Sequence, residues 1–273
     1  MDKIDRLGWT AGFAFRSYGV RVGVRVNDAD VLERLRSHLP PGWTPAKSPV
    51  VQHIYSVFIG RRSGPNIRGY NLAYRNIGRL VRTLDLEQLF DAFEADLHLN
   101  VAESAQRRVF IHAGVVGWKG RAILIPGRSL SGKTTLVTEL LKAGASFYSD
   151  EYAVLDSQGR VHPYPRPLAI RESGSVKQTR RTPEALGATV GARPLPVGLV
   201  VVSNYKDGAR WRPRAVSPGL GALALLDNTV SIRREPNKAL SALTQAVSSA
   251  PILSGVRGEA TETVDMILSR CNL

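Results

Sequence analysis

The sequence predicts an α/β protein in two parts, a smaller N-terminal α+β region over residues 1–105 and a larger region over 106–273. Three observations carry this reading. Strand-like and helix-like spacings alternate along the chain, and a long helical pattern ends near residue 104 where β character returns. An apolar segment at 122–125 then runs through a glycine-rich loop into an amphipathic stretch at 133–143.

Residues 20–26 (VRVGVRV) alternate apolar and basic, as a half-buried strand does. Asn27 or Asp28 can cap a helical stretch over 29–39, which Pro40-Pro41-Gly42 ends. VVQHIYSVFIG (50–60) reads as another strand, followed by a basic, glycine-containing loop over 61–69 and a further strand over about 70–81. Leu86, Leu89, Phe90, Phe93 and Leu97 share one face of a helix that Asp85 can cap and that runs to about Ser104. RVFIHAGVVG (108–117) and RAILI (121–125) are strand-like, and Trp118-Lys119-Gly120 between them reads as a tight hairpin turn. A loop rich in Pro and Arg occupies 157–196, a buried-type strand 198–203, and helical patterns about 218–226, 237–249 and 259–271.

The chain has 273 residues with 37 Lys+Arg against 23 Asp+Glu, a formal charge of +14, and its 43% hydrophobic and 22% charged residues suit a packed core and exclude a disordered chain. Its longest apolar runs fall far short of the roughly 20 residues that cross a bilayer, so no membrane span is expected. The charged first residues lack a secretory signal's apolar stretch, and the single cysteine, Cys271, excludes an internal disulfide; the expected location is the cytoplasm. The positive charge favours an anionic ligand. Its arginines are dispersed, without a run of five and without the common base-stacking signatures, which argues against nucleic acid as the partner.

Gly127-Arg128-Ser129-Leu130-Ser131-Gly132-Lys133-Thr134 satisfies G-x-x-x-x-G-K-[ST] at every fixed position. Average composition produces that match in a chain this long on the order of 1% of the time. It lies between an apolar strand-like segment and a helix, as a phosphate-binding loop must. Glycines allow successive N–H groups to turn inward on phosphate oxygens, and the positive end of the helix adds to the attraction. The expected nucleotide-binding stretch is therefore Gly127 to Thr135, with Lys133 on the β- and γ-phosphates and Thr134 on Mg²⁺; Thr135 lies in the first turn of the helix.

Asp150 and Glu151 follow only 17 residues beyond Lys133. Asp150 is the candidate proton acceptor and Glu151 the candidate Mg²⁺ ligand. Neighbouring residues of a strand point to opposite faces, so both can serve one site only if the strand ends or twists there. His112 lies on the strand-like segment before the loop. Arg171 is a candidate for charge stabilisation, with Arg166 a second cation, and Glu172 is a further candidate metal ligand.

The segment from His112 to Glu172 resembles the HPr kinase/phosphorylase superfamily, in particular its HPr kinase-related branch. The resemblance rests on IHAGVV (111–116), ILIPGRSLSGKTTL (123–136), the helix ending in KAGA, YSDEYAVLD (148–156) and PRPLAIRE (165–172). It implies a mixed-sheet P-loop kinase core, of the broader group that includes the ATP-dependent phosphoenolpyruvate carboxykinases, and ATP-dependent phosphorylation of a serine hydroxyl. Asp150 corresponds to the family's proton acceptor, Glu151 to a position where HPr kinases carry aspartate, and His112 to the histidine ahead of the loop strand. The stretch PRPLAIRESGSV stands where HPr kinases have a glycine-rich signature, and residues 1–105 do not resemble their N-terminal domain. Both departures point away from HPr as the substrate.

The resulting expectation is an ATP- and Mg²⁺-dependent kinase acting on a serine-type hydroxyl of a peptide, protein or small molecule, with the N-terminal region contributing to substrate recognition. HPr kinases assemble as hexamers, so the resemblance also allows a homo-oligomer. The alternatives are a nucleotide-binding regulatory module with little catalysis and a nucleic-acid-stimulated ATPase.

Overall fold

The computed structural model describes residues 3–61, 68–127, 131–171 and 178–271. The chain divides into two compact units, Met1–Gln106 and Arg107–Leu273.

The first unit opens with β1 (Ala11–Ser17) and β2 (Val20–Val26), an antiparallel hairpin turned by Tyr18 and Gly19, both at positive φ. The chain crosses through α1 (Leu32–Ser37) and the short β3 (Thr44–Pro45) to β4 (His53–Phe58), which lies parallel to β2. β5 (Asn71–Arg75) and β6 (Gly78–Thr83) complete a six-stranded sheet in the order β3-β1-β2-β4-β5-β6, and α2 (Leu86–Ser104) follows. The alternation read in VRVGVRV has its cause here, because Val20, Val22, Val24 and Val26 are buried in one cluster with Leu89, Phe90, Phe93 and Leu97 of α2. Asp85 caps α2 by accepting from the Glu87 amide at 2.8 Å. The single strand expected over 70–81 is instead a hairpin. It folds back at Asn76, whose φ of 52° is in the left-handed region that asparagine tolerates. The helix expected over 29–39 is shorter, a 3-10 turn over Ala29–Val31 followed by α1, and β1 adds a strand that the periodicity did not single out.

The second unit is a mixed α/β structure. β7 (Val109–Trp118) and β8 (Arg121–Pro126) form a hairpin whose turn residues, Lys119 and Gly120, both have positive φ, as a two-residue turn between twisted strands requires. α3 (Lys133–Lys142), β9 (Ser146–Ser149), β10 (Tyr152–Leu155) and β11 (Val161–His162) come next. β12 (Leu168–Arg171) and β13 (Gln178–Arg181) form a two-stranded antiparallel sheet of their own among the described residues, inside what the sequence presents as a loop. Then follow β14 (Val197–Tyr205), β15 (Arg214–Ala215), α4 (Pro218–Leu226), α5 (Pro236–Val247), β16 (Ile252–Arg257) and α6 (Val264–Arg270).

The eight-stranded sheet has the order β11-β10-β7-β8-β14-β16-β15, with β9 also on β7, and β8, β14 and β16 run parallel. It is apolar on both faces, as a sheet covered on both sides must be. Val109, Ile111, Ala113, Val115, Ala122 and Leu124 pack with α4 and α5. Val116, Ile123 and Ile125 pack with Leu136, Val137 and Leu140 of α3 and with Val264, Ile267 and Leu268 of α6. Parity along β7 therefore puts His112 on the α3 side. Strand β16 was not expected from the sequence, and α6 is shorter than the pattern over 259–271. Among the described residues, no helix is long and apolar enough to cross a membrane.

Candidate functional site

The loop between β8 and α3 begins at the carboxyl end of a parallel strand, where open α/β sheets place their ligands. Gly127 N donates to the His112 carbonyl at 3.1 Å, so the loop leaves the sheet anchored to β7. A Cβ on Gly127 would lie 2.6 Å from Ser131 Oγ, so a side chain there would displace that hydroxyl. Gly132 caps α3 in the left-handed region, at φ 82°. The ladder of α3 starts with Leu136 N donating to Gly132 O at 3.2 Å, so the Thr134 and Thr135 amides have no intrahelical acceptor. The Thr135 side chain is exposed, leaving its backbone as its contribution to the loop mouth. Arg128, Ser129 and Leu130, also expected in the cradle, lie outside the described residues.

The acidic pair occupies a break between two strands. β9 pairs with residues 115–117 of β7 and β10 with 109–112 along the same edge, and Asp150-Glu151 bridges the gap. Buried Ser149 holds the bend, its Oγ accepting from the amides of Glu151 at 3.2 Å and Tyr152 at 3.0 Å. Ala113 N donates to the Glu151 carbonyl at 3.2 Å. Thr134 Oγ1 donates to Asp150 Oδ2 at 2.8 Å, and Asp150 Oδ1 is buried with no hydrogen-bond partner among the described residues. Glu151 forms an ion pair with Arg166. Thr134 and Glu151 were expected to share the metal; the carboxylate that the structure brings to Thr134 is Asp150. The bend sends two successive side chains to different partners, as the geometry of adjacent residues dictates.

These positions set the protonation states. Burial raises the Asp150 carboxyl to about 7, partly opposed by the Thr134 hydrogen bond and by Lys133, with Glu151 adding to the rise. Burial lowers the Lys133 ammonium, while Asp150 and Glu151 favour its charge. Burial, then Lys133, lowers His112, which is consequently neutral at pH 7. The His112 ring lies 4.9 Å from that of Tyr152, and its amide donates to the Asn228 carbonyl at 2.8 Å.

His112, Lys133, Thr134 and Asp150 are thus brought together. Arg171 ends β12, and only its backbone is described; Glu172 lies outside the described residues. Arg257, which the sequence did not single out, ends β16 beside the loop. It is 2% exposed, and its Nη2 donates to Gly132 O at 2.8 Å while Nη1 donates to Gly258 O at 3.0 Å. The short apolar run before it, PILSGVR, contains a glycine and lacks clear alternation, so no local signal marked this arginine.

Among the described residues, no group of three or more His, Cys, Asp or Glu side chains could hold a metal ion. A Mg²⁺ bound mainly by phosphate and water needs only one or two protein oxygens. The Thr134 hydroxyl beside Lys133 is one such oxygen, and the Asp150 carboxyl it touches keeps an oxygen with no hydrogen-bond partner among the described residues. The arrangement can therefore accept a polyphosphate with its cation and hold a carboxylate ready to take a proton. Among known proteins, no family model matches the chain and no curated protein matches its sequence.

Proposed function

We propose that the chain is an ATP- and Mg²⁺-dependent kinase with a P-loop core of the HPr kinase type, acting on a serine-type hydroxyl of a peptide, protein or small molecule. The observation that carries this reading is the placement of Asp150, with one oxygen held by Thr134 and the other buried without a hydrogen-bond partner among the described residues. The loop amides and Lys133 hold the β- and γ-phosphates. Thr134 is the protein oxygen that would hold Mg²⁺, and Glu151 would join it by exchanging Arg166 for the ion, with Glu172 a further ligand implied by the resemblance. Mg²⁺, when bound, supplies neutralisation of phosphate charge. Asp150 Oδ1 takes the acceptor's proton as the acceptor oxygen bonds to the γ-phosphorus and the bond to the bridging oxygen breaks, releasing ADP. Arg171 is a further candidate for stabilising the transferring group.

The same Thr134–Asp150 contact also fits a nucleotide-binding regulatory module, in which the carboxylate serves the cation alone. Incubation with γ-labelled ATP and a panel of free serine, short serine-containing peptides and HPr tests the kinase. Label is expected in a serine acceptor other than HPr. Tight Mg-ATP binding without transfer to any acceptor or to water would favour the module.

A further inference from the structure

We infer that Tyr205 is the platform on which the base of the nucleotide stacks, an inference that rests on the phosphate-loop reading and extends it to the other end of the same ligand. Tyr205 is the only exposed Phe, Trp or Tyr among the described residues, at 48%. A single exposed ring is common on a protein surface; what sets this one apart is its place and the way it is held.

The ring stands at the phosphate loop. Tyr205 ends β14, the parallel neighbour of β8, so it leaves the sheet at the same edge as the loop. A Cβ built on Gly132 would lie 3.7 Å from Tyr205 Cβ. The acidic segment Asp150-Glu151 joins the sheet on the opposite flank of β8, by way of β7. The reacting end of a nucleotide held by the loop belongs with those acids, which leaves the flank of β14 and β16 for the base.

The ring is also held before any ligand arrives. Its hydroxyl donates to Glu259 Oε1 at 2.8 Å, and the Arg257 guanidinium lies 5.6 Å from its centroid. Tyr205 pairs in register with Arg257, Lys206 N donates to Arg257 O at 2.9 Å, and a Cβ on Gly258 would overlap Ala209 O. The segments that follow β14 and β16 are therefore packed together beneath the ring. A pre-ordered ring loses little freedom on binding, and every base presents a π-face to it.

The test compares Mg-ATP with magnesium tripolyphosphate, which lacks base and sugar, by calorimetric titration of the full chain. Tyr205→Ala is expected to weaken ATP about tenfold or more while leaving tripolyphosphate affinity unchanged, and Tyr205→Phe to retain ATP affinity within about twofold. Retained tripolyphosphate binding doubles as the check on folding. Unchanged ATP affinity in Tyr205→Ala, or equal loss of both ligands, would overturn the platform. If the unaltered protein binds neither ligand, the phosphate-loop reading fails and the platform with it. If it binds both equally well, only the platform fails.

Discussion

Arg257 Nη2 donates to the carbonyl of Gly132 at 2.8 Å, joining the end of the last sheet strand in the chain to the residue that starts α3, 125 positions earlier. The donor is nearly inaccessible to solvent, and its other terminal nitrogen is used on Gly258. A planar fork that reaches two carbonyls cannot be reproduced by an ammonium. Arg257→Lys is therefore expected to weaken Mg-ATP binding about tenfold, and Arg257→Ala to lower unfolding stability by about 2–4 kcal/mol by leaving buried carbonyls unmatched. Calorimetric titration and urea unfolding check the two effects.

Gly132→Ala strains the same junction from the other side. At φ 82° an L residue is disfavoured by about 1–2 kcal/mol. Its Cβ would also stand 2.5 Å from Arg257 Nη2. Loss of measurable nucleotide binding with a folded circular dichroism spectrum is expected, since the strain falls on the loop and on the Arg257 side chain while the backbone pairing of the sheet is not touched.

Asp150 titrates where the kinase would work. With the carboxyl raised to about 7, the proton acceptor is inactive below that pH and active above it, so kcat/KM should climb tenfold per unit below pH 7 and level off above. The same burial acts on stability with the opposite sign. A carboxyl raised above its ordinary 3.8 gives stability that is complete below that value and declines as pH rises through about 7. Asp150→Asn should match the unaltered protein at pH 4 and be more stable at pH 8, as followed by thermal unfolding at both values.

Asp156 provides the contrasting case, in the turn after β10. Its carboxylate accepts from the Gln158 and Arg160 amides and from the Arg160 guanidinium, and pairs with His162. Burial alone would raise its carboxyl, but these partners prevail and hold it at about 2. It therefore contributes stability above pH 4 that is lost as pH falls toward 2, about 2 kcal/mol in all. Urea midpoints between pH 2 and 6 should fall more steeply for the unaltered chain than for Asp156→Asn.

The parts that were legible in the sequence are those set by local pattern. The spacing of Leu86, Leu89, Phe90, Phe93 and Leu97 specifies α2, and the alternation of Val20 to Val26 specifies β2. The loop from Gly127 to Thr134 stands out by its fixed positions. What was hidden depends on distant pairing. The inward aim of Asp150 follows from β9 and β10 both pairing with one edge of β7, which no local spacing reveals. β16 is six residues long, contains Gly255 and lacks clear alternation, so neither the strand nor the arginine at its end stood out. Glu151 meets Arg166 because the chain returns toward the bend after β11, a contact written in topology.

The central claim is that Asp150 moves a proton during phosphoryl transfer at a nucleotide held by Lys133 and Thr134. Single-turnover release of labelled γ-phosphate from bound Mg-ATP, to the identified acceptor or to water, measures it most directly in the unaltered protein and in Asp150→Asn. Both should bind Mg-ATP with similar affinity, and the variant should turn over about 10²–10⁴-fold more slowly. Equal turnover in the two proteins, or no nucleotide binding by the unaltered chain, would contradict it.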